Sequence, residues 1–145
     1  MYTNMLLPAD ESEFSMKAVR HGIARAKRID SRASALTVLP PFHTFAIDAE
    51  MIEDTRTEYK ARMQERAEKT LGAVAHAVRA AAVACETVQV EHDHPEQATI
   101  DTAKSKGYDL IVMASHGRHG FAAIVIGSET VKVLTHCRIP VLVHR

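Results

Sequence analysis

Tyr108-Asp109-Leu110-Ile111-Val112-Met113-Ala114-Ser115-His116-Gly117-Arg118-His119-Gly120 is the stretch that decides the fold. Its first half is a nearly continuous apolar run, the pattern of a strand buried on both faces, and such strands belong to parallel sheets covered by helices on each side. The run predicts a central strand over 108–114. Its second half is loop-like, with serine, histidine, arginine and two glycines. This loop is expected to run from Ser115 to Gly127, before helical spacing returns over Ser128 to His136. In an open α/β sheet, ligands bind outside the carboxyl ends of the strands, where the strand order reverses, so this strand, loop and helix also mark the expected site.

Working outward, short apolar runs alternate with longer helical patterns, the signature of βαβ units. Met5-Leu6-Leu7-Pro8 predicts the first strand, which Pro8 helps to end. From Ser12 to Arg28, Phe14, Ala18, Val19, Gly22, Ile23 and Ala26 recur at helical spacing, and Ser12 is the expected N-cap. Ala33 to Leu39 predicts the second strand, stopped by Pro40-Pro41. Phe42 to about Ala49 reads as a loop, and the breaker-poor segment from there to Ala84 as one long helix, bent near Gly72. Its stripe of Tyr59, Met63, Ala67, Leu71, Val74 and Val78 fits either a sheet-covering face or a partner-binding one. Thr87 to Glu91 alternates apolar and polar residues, as expected of a strand at or near the sheet edge. Pro95 to Lys106 predicts a short helix closed by Gly107, and Pro140 to His144 a terminal strand. The total is five strands and four helices, with no internal repeat or linker, and so one domain over 1–145 is expected.

Composition narrows the function. The 145 residues carry 18 Lys and Arg against 18 Asp and Glu, so nothing in the net charge favours nucleic acid or an anionic membrane. The N-terminus lacks a basic start followed by a long apolar run, and no stretch approaches the roughly 20 apolar residues of a membrane span. A cytoplasmic location is the expectation. Cys85 and Cys137 form no CxxC and match no zinc spacing, which predicts reduced structural thiols. Among nine histidines, His92-Asp93-His94 places two imidazoles close together, but no further ligand accompanies them, so a solvated loop is expected there.

The chemistry concentrates in the glycine loop. Gly117 and Gly120 let backbone N–H groups approach an anion without obstruction, and Gly127-Ser128 offers the N–H groups of a helix start. Together they predict a phosphate cradle. Ser128 adds a hydroxyl to cap the helix or bind phosphate, while Arg118 supplies positive charge at the rim. His116 and His119 fit a phosphate contact, a base, or a surface position without chemistry, the last being the expectation.

These residues resemble the universal stress protein family over essentially the whole chain. The G-x2-G-x9-G-[S/T] signature of its nucleotide-binding branch maps onto Ala114, Gly117, Gly127 and Ser128, with Ala114 as the one departure. Leu6-Leu7-Pro8-Ala9-Asp10, Asp109-Leu110-Ile111-Val112-Met113 and Ile139-Pro140-Val141-Leu142-Val143 also look like the family. The resemblance implies a flavodoxin-like, Rossmann-like, doubly wound sheet of five parallel strands in the order 3-2-1-4-5, consistent with right-handed crossovers.

It also implies an adenine-nucleotide site for ATP, ADP or AMP in a stress-response or signalling module. Pro8 and Ala9 would line the adenine side, with Val38 as an apolar wall. Asp10 would take the ribose hydroxyls or a Mg²⁺ bridging the phosphates, and Met113, Ala114, His116, Gly117, Arg118, Gly127, Ser128, Glu129 and Thr130 would surround the phosphates. The bland alternatives are that Asp10 satisfies helix-start N–H groups and that Val38 simply packs in the core. Ala114 is harmless on an extended backbone and obstructive at positive φ. No Walker-type lysine accompanies the glycines, which leaves a slow ATPase and a nucleotide-free interaction protein as rivals to the binding module. The terminal strand, at an expected sheet edge, implies a homodimer.

Overall fold

The computed structural model describes residues 1–42, 55–116 and 126–145. Strands β1 (Asn4–Pro8), β2 (Arg32–Leu39), β3 (Cys85–Glu91), β4 (Leu110–Ala114) and β5 (Val141–His144) alternate with helices α1 (Glu13–Arg28), α2 (Arg56–Ala81), α3 (Pro95–Ser105) and α4 (Ser128–His136). All strand pairs are parallel, and the sheet order is β3-β2-β1-β4-β5. This is the doubly wound α/β order expected from the sequence, reversing direction between β1 and β4.

The alternation of side chains along each strand divides the interior into two layers. Met5 and Leu7 of β1 join Ala33, Ala35, Leu110 and Val112 beneath Val19 and Ile23 of α1 and Val74 of α2. Leu6 points the other way and packs with Leu36, Ile111 and Met113 beneath Ile100 of α3 and Val133 of α4. Strand β1 is covered on both faces, and Met5, Leu6 and Leu7 are all fully buried. Edge strand β3 has one wetter face, with Thr87, Gln89 and Glu91 exposed, while Val88 and Val90 on the other face pack inward.

Helix α1 starts as expected: the Ser12 hydroxyl accepts from the Ser15 backbone N–H. Helix α2 starts later than the sequence suggested, because Thr55 and Glu58 form a reciprocal capping box that fixes the first turn at Arg56. It runs unbroken through Gly72 and stops at Ala81, short of Ala84, because Ala82 adopts a left-handed conformation with φ of 53°. The stripe predicted on this helix does cover the sheet, though Thr70 is buried where Leu71 is only half-buried. Gly107, with φ of 69°, follows α3 as predicted.

At the opposite edge of β1 and β4 from the expected site, Asp109 ties the two strands together. Its carboxylate accepts from the Thr3 and Asn4 backbone N–H groups at 2.7 and 3.0 Å and from the Thr3 hydroxyl at 2.8 Å. Burial pushes the Asp109 pKa up, and these hydrogen bonds outweigh it, leaving the group below its ordinary value. Both cysteines are free, and burial pushes the Cys85 thiol up. Among the described residues no helix is long and apolar enough to cross a membrane.

Candidate functional site

The crevice opens where β1 and β4 release their chains at the carboxyl end of the sheet. On the β1 side, Ala9 N–H donates to the Leu36 carbonyl at 2.7 Å, prolonging the pairing with β2. Asp10 N–H then donates to Ser15 Oγ at 2.8 Å, and Asp10 Oδ1 accepts from Ser12 N–H at 2.7 Å. The carboxylate therefore helps to organise the start of α1, the bland role considered from the sequence, while standing at the mouth of the crevice. Val38 packs toward the layer beneath α3 and α4.

On the β4 side, Met113, Ala114 and Ser115 are buried. Ser115 N–H donates to the His144 carbonyl at 2.8 Å, continuing the ladder one residue past the strand. Ala114 lies within β4, and the only described non-glycine residues at positive φ are Asp30 and Ala82. Its methyl group thus meets no backbone strain. Thr130, buried on the first turn of α4, donates its hydroxyl hydrogen to the Ala114 carbonyl at 2.9 Å and lies 3.4 Å from that of Ser115.

Two expectations about the helix start need correction. Gly127 is the N-cap of α4 and Ser128 the first helical residue, so the Ser128 hydroxyl does not cap the helix. The Gly127 N–H is also engaged, donating to the Ser115 carbonyl at 2.7 Å, because the loop must close back onto the strand exit. The first intrahelical bond runs from Val131 N–H to Gly127 O. Ser128, Glu129 and Thr130 are the residues of the first turn, whose amides precede the helical ladder. Gly117, Arg118, His119 and Gly120 lie outside the described residues.

His116 bridges the crevice. Its Nδ1 is 2.9 Å from Ser115 Oγ, and its ring sits 5.9 Å from the Phe14 ring, tilted by 47°, on the first turn of α1. Its Nε2 is buried and has no hydrogen-bond partner among the described residues. A buried polar nitrogen left unpaired is costly, typically about 1–3 kcal/mol, and a hydrogen-bonding ligand in the crevice would relieve that cost. Sequence reasoning named His116 but missed Phe14, whose helical spacing marked it only as a member of the α1 stripe.

Sequence reasoning also missed a pocket beside the crevice, with a volume of about 50 Å³. It lies between Thr37 to Pro40 at the end of β2, Asp10 and Glu11 after β1, and Met63, Arg66, Ala67 and Thr70 of α2. The Tyr59 hydroxyl donates to the Pro40 carbonyl at 3.0 Å, and Arg66 Nε pairs with Glu11 Oε1 at 2.9 Å, so both ends of this wall are fastened. No local pattern signals it, since its walls come from three separate elements.

Among the described residues no group of three or more histidine, cysteine, aspartate or glutamate side chains gathers as a metal site. His92 and His94 have ring centroids 6.0 Å apart, and His92 Nδ1 accepts from the His94 backbone N–H at 2.8 Å, a local turn.

The sequence profile of the universal stress protein family matches residues 1–145. The chain belongs to the universal stress protein family. A universal stress protein of Methanocaldococcus jannaschii is 28% identical over 143 residues, covering 99% of this chain and 82% of the relative. Among universal stress protein structures, UspA from Lactobacillus plantarum superposes with a TM-score of 0.81 at 23% identity, covering 99% of this chain and 98% of that one. A universal stress protein from Archaeoglobus fulgidus, in complex with dAMP, superposes with a TM-score of 0.71 at 17% identity, covering 99% and 98%. The likeness of these structures is one of fold, and it places the β1/β4 crevice of this family member at the reversal point of a shared sheet.

Proposed function

We propose that this universal stress protein is an adenine-nucleotide-binding module. The phosphates lie against the start of α4, the ribose lies over Asp10, and the base lies across β1 toward Val38 and the end of β2. The observation that carries the reading is the unpartnered, buried Nε2 of His116 in the crevice between β1 and β4. The dAMP complex of the Archaeoglobus relative supports the choice of an adenine nucleotide, and the extended backbone at Ala114 is compatible with phosphate approach. Where Mg²⁺ accompanies ATP, Asp10 is the carboxylate placed to share it with the phosphates, in keeping with the ion's preference for one or two carboxylates plus phosphate oxygens. ATP, ADP and AMP share the base and ribose contacts and differ at the helix start.

The nucleotide acts as a ligand that orders the crevice and alters partner affinity, with no demand for fast turnover. Homodimerisation through β5 fits the same picture, since β5 is an edge strand and Val131 and Leu134 of the neighbouring α4 expose apolar side chains. The decisive experiment denatures freshly purified protein and identifies released small molecules by mass spectrometry, followed by thermal melting with added nucleotide. Recovered adenine nucleotide, or stabilisation by about 2.7 kcal/mol at a hundredfold excess over Kd, supports the reading. No released nucleotide and no shift with millimolar ATP, ADP or AMP overturns it.

A further inference from the structure

We propose that Thr37 and Thr70 are specificity-determining residues that read the 6-amino edge of the bound base. The inference rests on the nucleotide reading above and extends it into the pocket between β2 and α2. Thr37 and Thr70 are 4% and 5% exposed and both line that pocket. Neither hydroxyl has a hydrogen-bond partner among the described residues. Two other helical threonines satisfy their hydroxyls one turn back, Thr99 on the Pro95 carbonyl and Thr135 on the Val131 carbonyl. The Thr70 hydroxyl forgoes that bond.

Two hydroxyls on otherwise buried residues that open onto a common pocket and bond to no described protein group are available to a polar group of a ligand. Sheet order supplies the direction. Strand β1 lies between β2 and β4, and neighbouring strands are about 4.8 Å apart, so the end of β2 is roughly 10 Å from the end of β4. A nucleotide with its phosphates at α4, beside β4, and its ribose over Asp10 therefore carries its base to the end of β2. Pocket size limits what enters. A cavity of about 50 Å³ is above the roughly 10–15 Å³ that holds one water, enough for a small exocyclic group. The ring stays at the rim beside Val38, and its exocyclic substituent enters. Each threonine hydroxyl both donates and accepts, so one accepts from the 6-amino group while the other donates to the adjacent ring nitrogen.

A chemical double-mutant cycle tests this. Binding of ATP and of purine riboside 5′-triphosphate, which lacks the 6-amino group, is measured by calorimetry on the wild-type chain and on the Thr37→Val, Thr70→Val double variant. The wild type is expected to prefer ATP about tenfold, the typical value of a satisfied buried hydrogen bond pair, and the double variant less than about twofold. The Thr37→Ser, Thr70→Ser double variant retains the hydroxyls and the preference. It also serves as the comparison if the valine variant does not fold, because loss of discrimination in a folded serine variant overturns the proposal. Unchanged discrimination in the valine variant likewise overturns it and leaves the nucleotide site standing. A wild-type chain that binds neither compound removes the nucleotide reading itself, and the inference with it.

Discussion

The hydroxyl of Thr130 donates its hydrogen to the main-chain carbonyl of Ala114 across 2.9 Å, inside the protein, joining the first turn of α4 to the last residue of β4. Thr130→Val keeps the shape and removes the donor, leaving buried strand-exit carbonyls with one fewer partner. A loss of about 1–3 kcal/mol in urea unfolding is expected, with Thr130→Ser near wild type.

Restoring glycine at position 114 is expected to do little for ligand binding. The backbone there is a regular strand, so Ala114→Gly relieves no strain and adds unfolded-state entropy. Stability should fall by roughly 0.5–1 kcal/mol, with nucleotide affinity within about twofold of wild type by calorimetry.

Two glycines should respond in opposite directions to alanine. A Cβ at Gly22 would stand 2.5 Å from Leu7 Cδ2, and Leu7 is fully enclosed at the centre of the sheet, so Gly22→Ala overpacks by about 1–3 kcal/mol. At Gly72, in the exposed middle of α2, an added Cβ has nothing within 4 Å. Gly72→Ala should therefore gain about 0.5–1 kcal/mol from helix propensity, and thermal melting of both variants checks the pair.

Acid should weaken the contact between α1 and β5. The rings of His21 and His144 are 5.0 Å apart. Burial lowers the His21 pKa, and His144, Arg25 and Arg28 lower it further by repulsion. Because the folded pKa is the depressed one, protonation favours the unfolded chain. The contribution of His21 is thus intact above the ordinary histidine value of about 6.5 and is lost as pH falls through the folded pKa. Melting temperature measured from pH 8 to 5 should fall less steeply in His21→Gln than in wild type.

Most of the architecture was legible because parallel strands covered on both faces leave a plain mark. Met5 to Leu7 and Leu110 to Met113 admit no polar residue, and Ser12 and Gly107 punctuate their helices as residue type suggests. The start of α2 was also written in the chain, as Thr55 followed three residues later by Glu58, but the long breaker-poor run hid it. Its end was not, since an alanine in left-handed conformation at Ala82 carries no signature. The family and the crevice were readable from the spacing of Ala114, Gly127 and Ser128. The contact of Phe14 with His116, and the meeting of Thr37 with Thr70 at one pocket, depend on how helices lie across the sheet, which local periodicity does not encode. Nor does spacing reveal that Gly127 spends its N–H on the Ser115 carbonyl.

That closure of the loop onto the strand exit bears on how relatives of this chain are sorted. At Ala114 and Ser115 the strand exit is held through carbonyl oxygens and an amide hydrogen, groups that every residue except proline possesses. A search that scores amino-acid letters penalises Ala114 as a broken signature, although the atoms engaged there are the same with either letter. Sorting members of this group by the main-chain path at the strand exit, and by the hydroxyl that clasps it, would separate intact crevices from collapsed ones more faithfully than counting glycines.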